Sequence, residues 1–228
     1  MQDLEAVAKL ARCKGILTVI DNSYCSPLYQ KPINFGIDLV MQTGTKYTGG
    51  HSDTVAGILS GSRELIEKIF MADYLNVGAI VSPFNAWLLL RSLRTFDIRL
   101  QKIFKSTKEI VAALDYHPKI EKILFPFHPS FPQYDLAKKQ MEDAGGLFTV
   151  VLKVEKVEQI EKFCERLERF LIAVSWGGHE SLAFPVCSQM PRNEFDIGNE
   201  NHKMIRFYIG LEDSDILIQD ILKSLELL

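Results

Sequence analysis

The feature that most constrains the fold is a run at 16–21, ILTVID, that is almost wholly apolar and closes on an acid. A run of this kind reads as a buried, parallel strand. IDLVMQTG (37–44) repeats the pattern, and VAGILSG (55–61) supplies a third strand. Helical spacing surrounds them. Leu4, Val7, Ala8 and Ala11 share one face of a helix over 3–14, which Gly15 ends. Ser62 is placed to cap a helix over 63–75, with Leu65, Ile66, Ile69 and Phe70 on its buried side. NSYCSPLYQKP and the glycine-rich GTKYTGGHSD read as a loop and a turn between the strands.

Pro83 suits the first turn of a helix that continues, with a break, to about Leu114. Beyond it the pattern changes to IEKILF, LFTVVLK, IAVSW and KMIRFYIGL as strands. VEQIEKFCERLERF is an amphipathic helix among them, and Ser214 caps a last helix, DILIQDILKSLELL. The expectation is an α/β unit over 1–95 and a smaller α+β unit over 96–228, divided near Phe96 within the long helix. No repeat or low-complexity tract interrupts the chain.

Composition removes several function classes. The chain has 228 residues, 47% hydrophobic and 24% charged, with a formal net charge of −3. That balance gives no general attraction to nucleic acid or anionic membrane, and no basic cluster interleaves with aromatics. No apolar run is long enough to span a bilayer. The N-terminus has neither a signal peptide's apolar core nor a transit peptide's composition. Cys13, Cys25, Cys164 and Cys187 fit no zinc spacing and read as reduced thiols of a cytoplasmic protein.

Chemistry concentrates at strand ends. Lys46 follows the second strand and is hemmed in by Thr43, Gly44, Thr45, Tyr47, Gly49 and Gly50. A lone lysine is usually a solvated charge. One held at a strand end beside hydroxyls can form a Schiff base with an aldehyde cofactor, and Thr43 and Thr45 can donate to a phosphate. The order of Gly and Lys fits neither a Walker A loop nor a dinucleotide fingerprint. Asp21 either caps a neighbouring turn or pairs with a protonated pyridine nitrogen. Arg206, in an otherwise apolar strand, either forms a structural salt bridge or holds a substrate carboxylate. SWGGHESL (175–182) is either a plain loop or a turn presenting backbone N–H groups to an anion. His179 is either a catalytic residue or, as is commoner for a lone loop histidine, a solvated one. His51 and Asp53 are too few for a metal site, and Ser26 and Ser52 lack a nucleophile elbow.

Four of these segments recur in order in one family. VIDNSYCSPLYQKP (19–32), MQTGTKYTGGHSD (41–53), VSWGGHESL (174–182) and MIRFYIGLED (204–213) resemble the aspartate, lysine, carboxylate-turn and arginine motifs of the Cys/Met-metabolism enzymes dependent on pyridoxal 5′-phosphate (PLP). SLRTFDIRL (92–100) resembles the start of their interdomain helix. The resemblance covers essentially the whole chain and implies a type I, aspartate-aminotransferase-like fold. By that resemblance Lys46 binds PLP and moves protons, Asp21 pairs with the pyridinium nitrogen, Thr43 and Thr45 contact the phosphate, and Ser175 and Arg206 hold the substrate carboxylate. The implied activity is trans-sulfuration: C–S lyase or γ-replacement chemistry on a sulfur amino acid, in a homo-oligomer, dimer or tetramer.

Departures from the motifs bear on that expectation. Gln42, Thr43 and Gly44 stand where the lysine motif usually reads His-Ser-Ala. Val174 precedes the serine where some members carry a polar or aromatic residue, and Ser-Trp-Gly-Gly is closer to the β-lyase form than Ser-Leu-Gly-Gly. The chain matches the C-terminal part of the family only. The glycine-containing phosphate loop, the stacking tyrosine and the arm to a neighbouring subunit have no counterpart. The alternative expectation is therefore a truncated or split fragment without turnover of its own, acting as a structural partner.

Overall fold

The computed structural model describes residues 1–78 and 80–228. They divide into two compact units, one of Met1–Asp97 with Asp135–Asp143, the other of Ile98–Tyr134 with Ala144–Leu228.

In the first unit, helix α1 (Leu4–Cys13) starts where the Asp3 carboxylate accepts the Ala6 N–H. Its apolar face contributes Leu4 and Ala8 to a small core with Ile37 and Val40, against which Ile20 and Phe35 pack. Strands β1 (Val19–Asp21), β2 (Leu39–Thr43) and β3 (Gly57–Gly61) form one sheet in that order. β1 and β2 are parallel, with Asp21 opposite Met41, and β3 is antiparallel to β2. A helical turn α2 (Ser26–Tyr29) lies between β1 and β2.

The expected strand at 16–21 is shortened to three residues. β1 is an edge strand, and Ile16, Leu17 and Val19 are 61%, 58% and 63% exposed. Side chains of a strand alternate between the two faces of its sheet, and of β1 only Ile20 packs against the small core, so the apolar run is not buried on both faces.

α3 (Arg63–Ile69) begins at Ser62, whose hydroxyl accepts the Leu65 N–H. A wider turn at Phe70–Tyr74 carries it into α4 (Leu75–Val77). Leu65, Ile66 and Ile69 are half-buried, and Phe70 is exposed and stacks on Tyr74 at 5.1 Å. The expected buried face is therefore only partly covered. α5 (Pro83–Leu93) follows, with Pro83 at its first position and the Ser82 hydroxyl accepting the Asn85 N–H.

α6 (Phe96–Leu114) is followed by β4 (Ile120–Leu124) and α7 (Tyr134–Gln140), a helix without a sequence expectation. The Gln140 side chain accepts the Leu4 N–H and donates to the Gln2 carbonyl, and Gln30 donates to the Gln140 carbonyl. These bonds join 135–143 to the first unit.

In the second unit, β4, β5 (Leu147–Leu152), β8 (Met204–Tyr208), β7 (Leu182–Pro185) and β6 (Leu171–Ile172) form a sheet in that order. All neighbours are antiparallel except β6 and β7. Phe207 on β8 centres the core. It stacks on Phe148 at 5.3 Å and meets Phe170 and Phe163 edge-on at 5.1 and 6.4 Å. α8 (Val157–Arg166) adds Ile160 and Phe163, and α9 (Ser214–Leu225) adds Leu217, Ile221 and Leu225.

Two expectations change here. The strand read from IAVSW stops at Ile172, so Ser175 and Trp176 lie in the turn beyond it. The cap of α9 is Asp213, whose carboxylate accepts the Asp215 and Ile216 N–H groups, while the Ser214 hydroxyl bonds Glu109 at 2.6 Å. A carboxylate is the better acceptor at the positive end of a helix.

Candidate functional site

The first group of residues sits where β1 and β2 end side by side. The Asn22 N–H donates to the Met41 carbonyl at 2.8 Å and closes the parallel ladder. The chain then leaves the sheet, and the Ser23 hydroxyl takes over as acceptor, receiving the Thr43 N–H at 2.8 Å. Ser23 N–H donates in turn to Asp21 Oδ1 at 2.8 Å. Asp21 is exposed, and its Oδ2 accepts no hydrogen bond among the described residues. The turn-capping reading of Asp21 is thus realised by one oxygen, which leaves the other available. Buried Asn22 donates to the Ser26 and Gln30 carbonyls at 3.2 and 3.0 Å and fixes the loop beyond.

Lys46 lies in the segment Gly44–Thr48, expected as part of a polar, glycine-rich turn and found as one wide helical turn. Gly49 N–H closes it on the Gly44 carbonyl, and Gly50 N–H bonds the Lys46 carbonyl, both at 2.7 Å. A side chain at Gly49 would place its Cβ 2.7 Å from the Gly44 oxygen, so only glycine closes this turn without displacing backbone. The Gly49 carbonyl is held by the Ser92 hydroxyl and by a His51 ring nitrogen at 2.6 Å. Lys46 itself departs from helical geometry, at φ −90° and ψ −129°, and is half-buried beside fully buried Tyr47.

Ala56 pins the other wall. Its carbonyl accepts the Gly44 N–H at 2.7 Å, and its N–H donates to Thr45 Oγ1 at 3.2 Å. Since Thr45 Oγ1 accepts there, its hydroxyl hydrogen is free to be donated elsewhere. The Thr43 hydroxyl reaches the Ala56 carbonyl only at 3.5 Å, a contact weak enough to yield to an anion.

Arg206 and Ser175 belong to the second unit. Arg206 Nη2 donates to the Val174 and Ser175 carbonyls, and the guanidinium lies 5.1 Å from the centre of the Phe184 ring. Among the described residues the Arg206 side chain makes no ion pair and no other hydrogen bond. The salt-bridge reading is therefore not realised. Partial burial lowers its pKa, but a guanidinium stays charged. Tyr208, two residues along the same strand face, donates to the Gly178 carbonyl at 2.7 Å. Together they grip the turn at 174–178, where Gly177 adopts φ +94°.

Sequence reasoning named Lys46, Asp21, Thr43, Thr45, Ser175 and Arg206 but missed Ser23, Ser92 and Tyr208. The alternation of β8 could have pointed to Tyr208, which shares a face with Arg206. No local signal marks Ser23 or Ser92.

The sequence model of the Cys/Met metabolism PLP-dependent enzymes matches residues 1–226. The chain belongs to this family. Cystathionine gamma-lyase of Macaca fascicularis is 35% identical over 231 residues, covering 99% of this chain and 57% of that protein. L-methionine gamma-lyase of Pseudomonas putida is 36% identical over 232 residues, covering 99% and 58%. The crystal structure of cystathionine gamma synthase from Xanthomonas oryzae pv. oryzae, in complex with aminoacrylate and cysteine, aligns with a TM-score of 0.90 and 32% identity. That alignment covers 100% of this chain and 59% of the other. The chain thus spans under two thirds of the length of these relatives, all in a family of PLP-dependent enzymes. Among the described residues no helix is long and apolar enough to cross a membrane.

The donor set suits PLP. Asp21 Oδ2 can accept from a protonated ring nitrogen, and the Thr45 and Thr43 hydroxyls can donate to a phosphate. Lys46 supplies a primary amine on a fixed turn.

Proposed function

We propose that this chain carries the catalytic lysine and the carboxylate-binding arginine of a PLP-dependent C–S lyase or γ-replacement enzyme acting on a sulfur amino acid. The observation that carries the reading is Lys46, half-buried on a turn whose backbone is tied by Ala56, Ser92 and His51. Pinning of this kind fixes where an amine can reach. PLP, when bound, supplies an aldehyde that condenses with amines and a ring that withdraws electrons from the substrate α-carbon.

The chain's own groups divide the remaining work. Asp21 keeps the ring nitrogen protonated by pairing with it. Thr43 and Thr45 hold the phosphate. Arg206, without an ion pair among the described residues and partly desolvated, binds the substrate α-carboxylate with the help of Ser175. Lys46 Nζ takes the proton from the substrate α-carbon and returns one as the thiol leaves. The fold proposed is the type I fold of PLP enzymes. The four free thiols suit a reducing cytoplasm, and a homo-oligomer, dimer or tetramer, is the proposed assembly.

The test is reductive trapping. After incubation with PLP and borohydride, peptide mapping should find the label on Lys46, and Lys46→Ala should remove both the label and the visible imine band. Labelling confined to another lysine, or none at all, refutes the reading. Assays with cystathionine, methionine and homocysteine then assign the substrate.

Coverage and exposed apolar surface favour a second reading. Phe84, Trp87 and Leu90 recur every third residue on α5 and are 65%, 55% and 66% exposed. In this reading the chain is a structural partner that turns over only with the remaining family sequence. Turnover appearing only on addition of a polypeptide carrying that sequence supports it, and turnover by this chain alone refutes it.

A further inference from the structure

The second unit contains a cavity of about 490 Å3 between α8 and the 186–195 segment, unused by the chemistry above. Its volume lies within the range of small-molecule sites, roughly 300–1,000 Å3. Ile160, Cys164, Ile172, Cys187, Met190 and Phe195 line an apolar interior.

The charges around it decide what it can hold. Glu161, Glu165 and Arg192 also line the cavity. Arg192 bridges from the 186–195 side to Glu161 on α8 at 2.6 Å, which neutralises that pair. Glu165 makes no ion pair among the described residues, so one carboxylate is left in excess. An anion would meet uncompensated negative charge and a guanidinium already engaged.

The thiols are not poised for covalent capture. Burial pushes Cys164 up to about 12, with Cys187 and Glu165 adding to the effect, and burial also raises Cys187. Both remain neutral and present polarisable, apolar surface. Met190 and Phe195 present surfaces of the same character, and a cation is favoured over an aromatic face.

We propose that this cavity binds an apolar ammonium ion, with its hydrocarbon body inside and its charge beside Glu165. The probe is benzyltrimethylammonium, whose nitrogen bears no hydrogen and cannot condense with an aldehyde. Its binding is therefore independent of Lys46 and of PLP.

The experiment is a titration of the full chain, methyl-labelled at isoleucine and methionine, followed by NMR. The cation should shift the Ile160, Ile172 and Met190 methyls saturably. Phenylmethanesulfonate, of similar size and opposite charge, should leave them in place. Glu165 is exposed, so Glu165→Gln should fold normally and weaken the cation about fivefold, as expected for one solvent-facing carboxylate. Cys164→Phe should fill the cavity and abolish the shifts. The proposal is overturned if the cation moves none of these methyls at its highest soluble concentration, if the sulfonate binds equally well, or if Glu165→Gln leaves the affinity unchanged.

Discussion

Replacing Ser23 by alanine tests whether a single hydroxyl couples the Asp21 turn to the end of β2. The parallel ladder ends at Asn22, and Ser23 Oγ is the acceptor that Thr43 N–H uses next, at 2.8 Å. Alanine deletes the acceptor without adding bulk. A donor left unsatisfied in a buried place costs about 1–3 kcal/mol. Thr43 is half-buried, so water can partly replace the hydroxyl, and the cost should fall near the low end, about 1 kcal/mol. That corresponds to about fivefold faster exchange of the Thr43 amide with solvent. Hydrogen exchange followed by NMR reads this directly, with the Val40 amide as an internal reference on the same strand. PLP affinity, titrated by the imine band, should fall in the same direction, because the Thr43 hydroxyl loses its fixed backbone. Unchanged protection at Thr43 would refute the coupling. An equal rise at every amide of β2 would do the same, since it would report global rather than local loosening.

Gly49→Ala would drive a Cβ to within 2.7 Å of the Gly44 oxygen, where both partners are backbone. It should lower stability by about 1–3 kcal/mol in denaturant unfolding and reduce borohydride labelling at Lys46, whereas an unchanged midpoint with full labelling counts against the closed turn. Asp38 accepts from the Thr18 hydroxyl and N–H at 2.7 and 2.8 Å, and these bonds, the hydroxyl first, hold its pKa below the ordinary 3.8. A carboxylate depressed in the folded state stabilises the fold above its unfolded pKa, and that contribution is lost as pH falls through the folded value. An NMR titration should therefore place the Asp38 midpoint below 3.8, and Asp38→Asn should flatten stability against pH on the acid side. A midpoint at or above 3.8 contradicts the assignment.

What could be read ahead of the structure follows from how local its cause is. β5 is legible because LFTVVL is an interior strand of its sheet, so a largely apolar run and the observed strand coincide. The run at 16–21 has the same appearance, but β1 lies at an edge, and nothing within the run records that position. Asp213 and Ser214 are both good caps, and only the distant Glu109, which takes the Ser214 hydroxyl, separates their roles. α7 follows PFHPSFP, whose prolines suggest irregular chain, and its Gln140 finds partners near the N-terminus. The candidate site divides in the same way. Lys46, Asp21 and Arg206 stand out because a charge in apolar or glycine-rich surroundings violates local expectation. The groups that hold them do not stand out. Ser23 acts on Thr43, and Ser92 on Gly49, across 20 and 43 residues of sequence, and a serine beside a strand or within a helix is ordinary. The proposed reactive groups are thus visible as exceptions, whereas the residues that fix the backbone around them satisfy every local rule. Substitutions at Ser23 and Ser92 are therefore the sharper test of the proposed site: they leave its proposed chemical groups intact and remove hydroxyls that tie the backbone at Thr43 and Gly49.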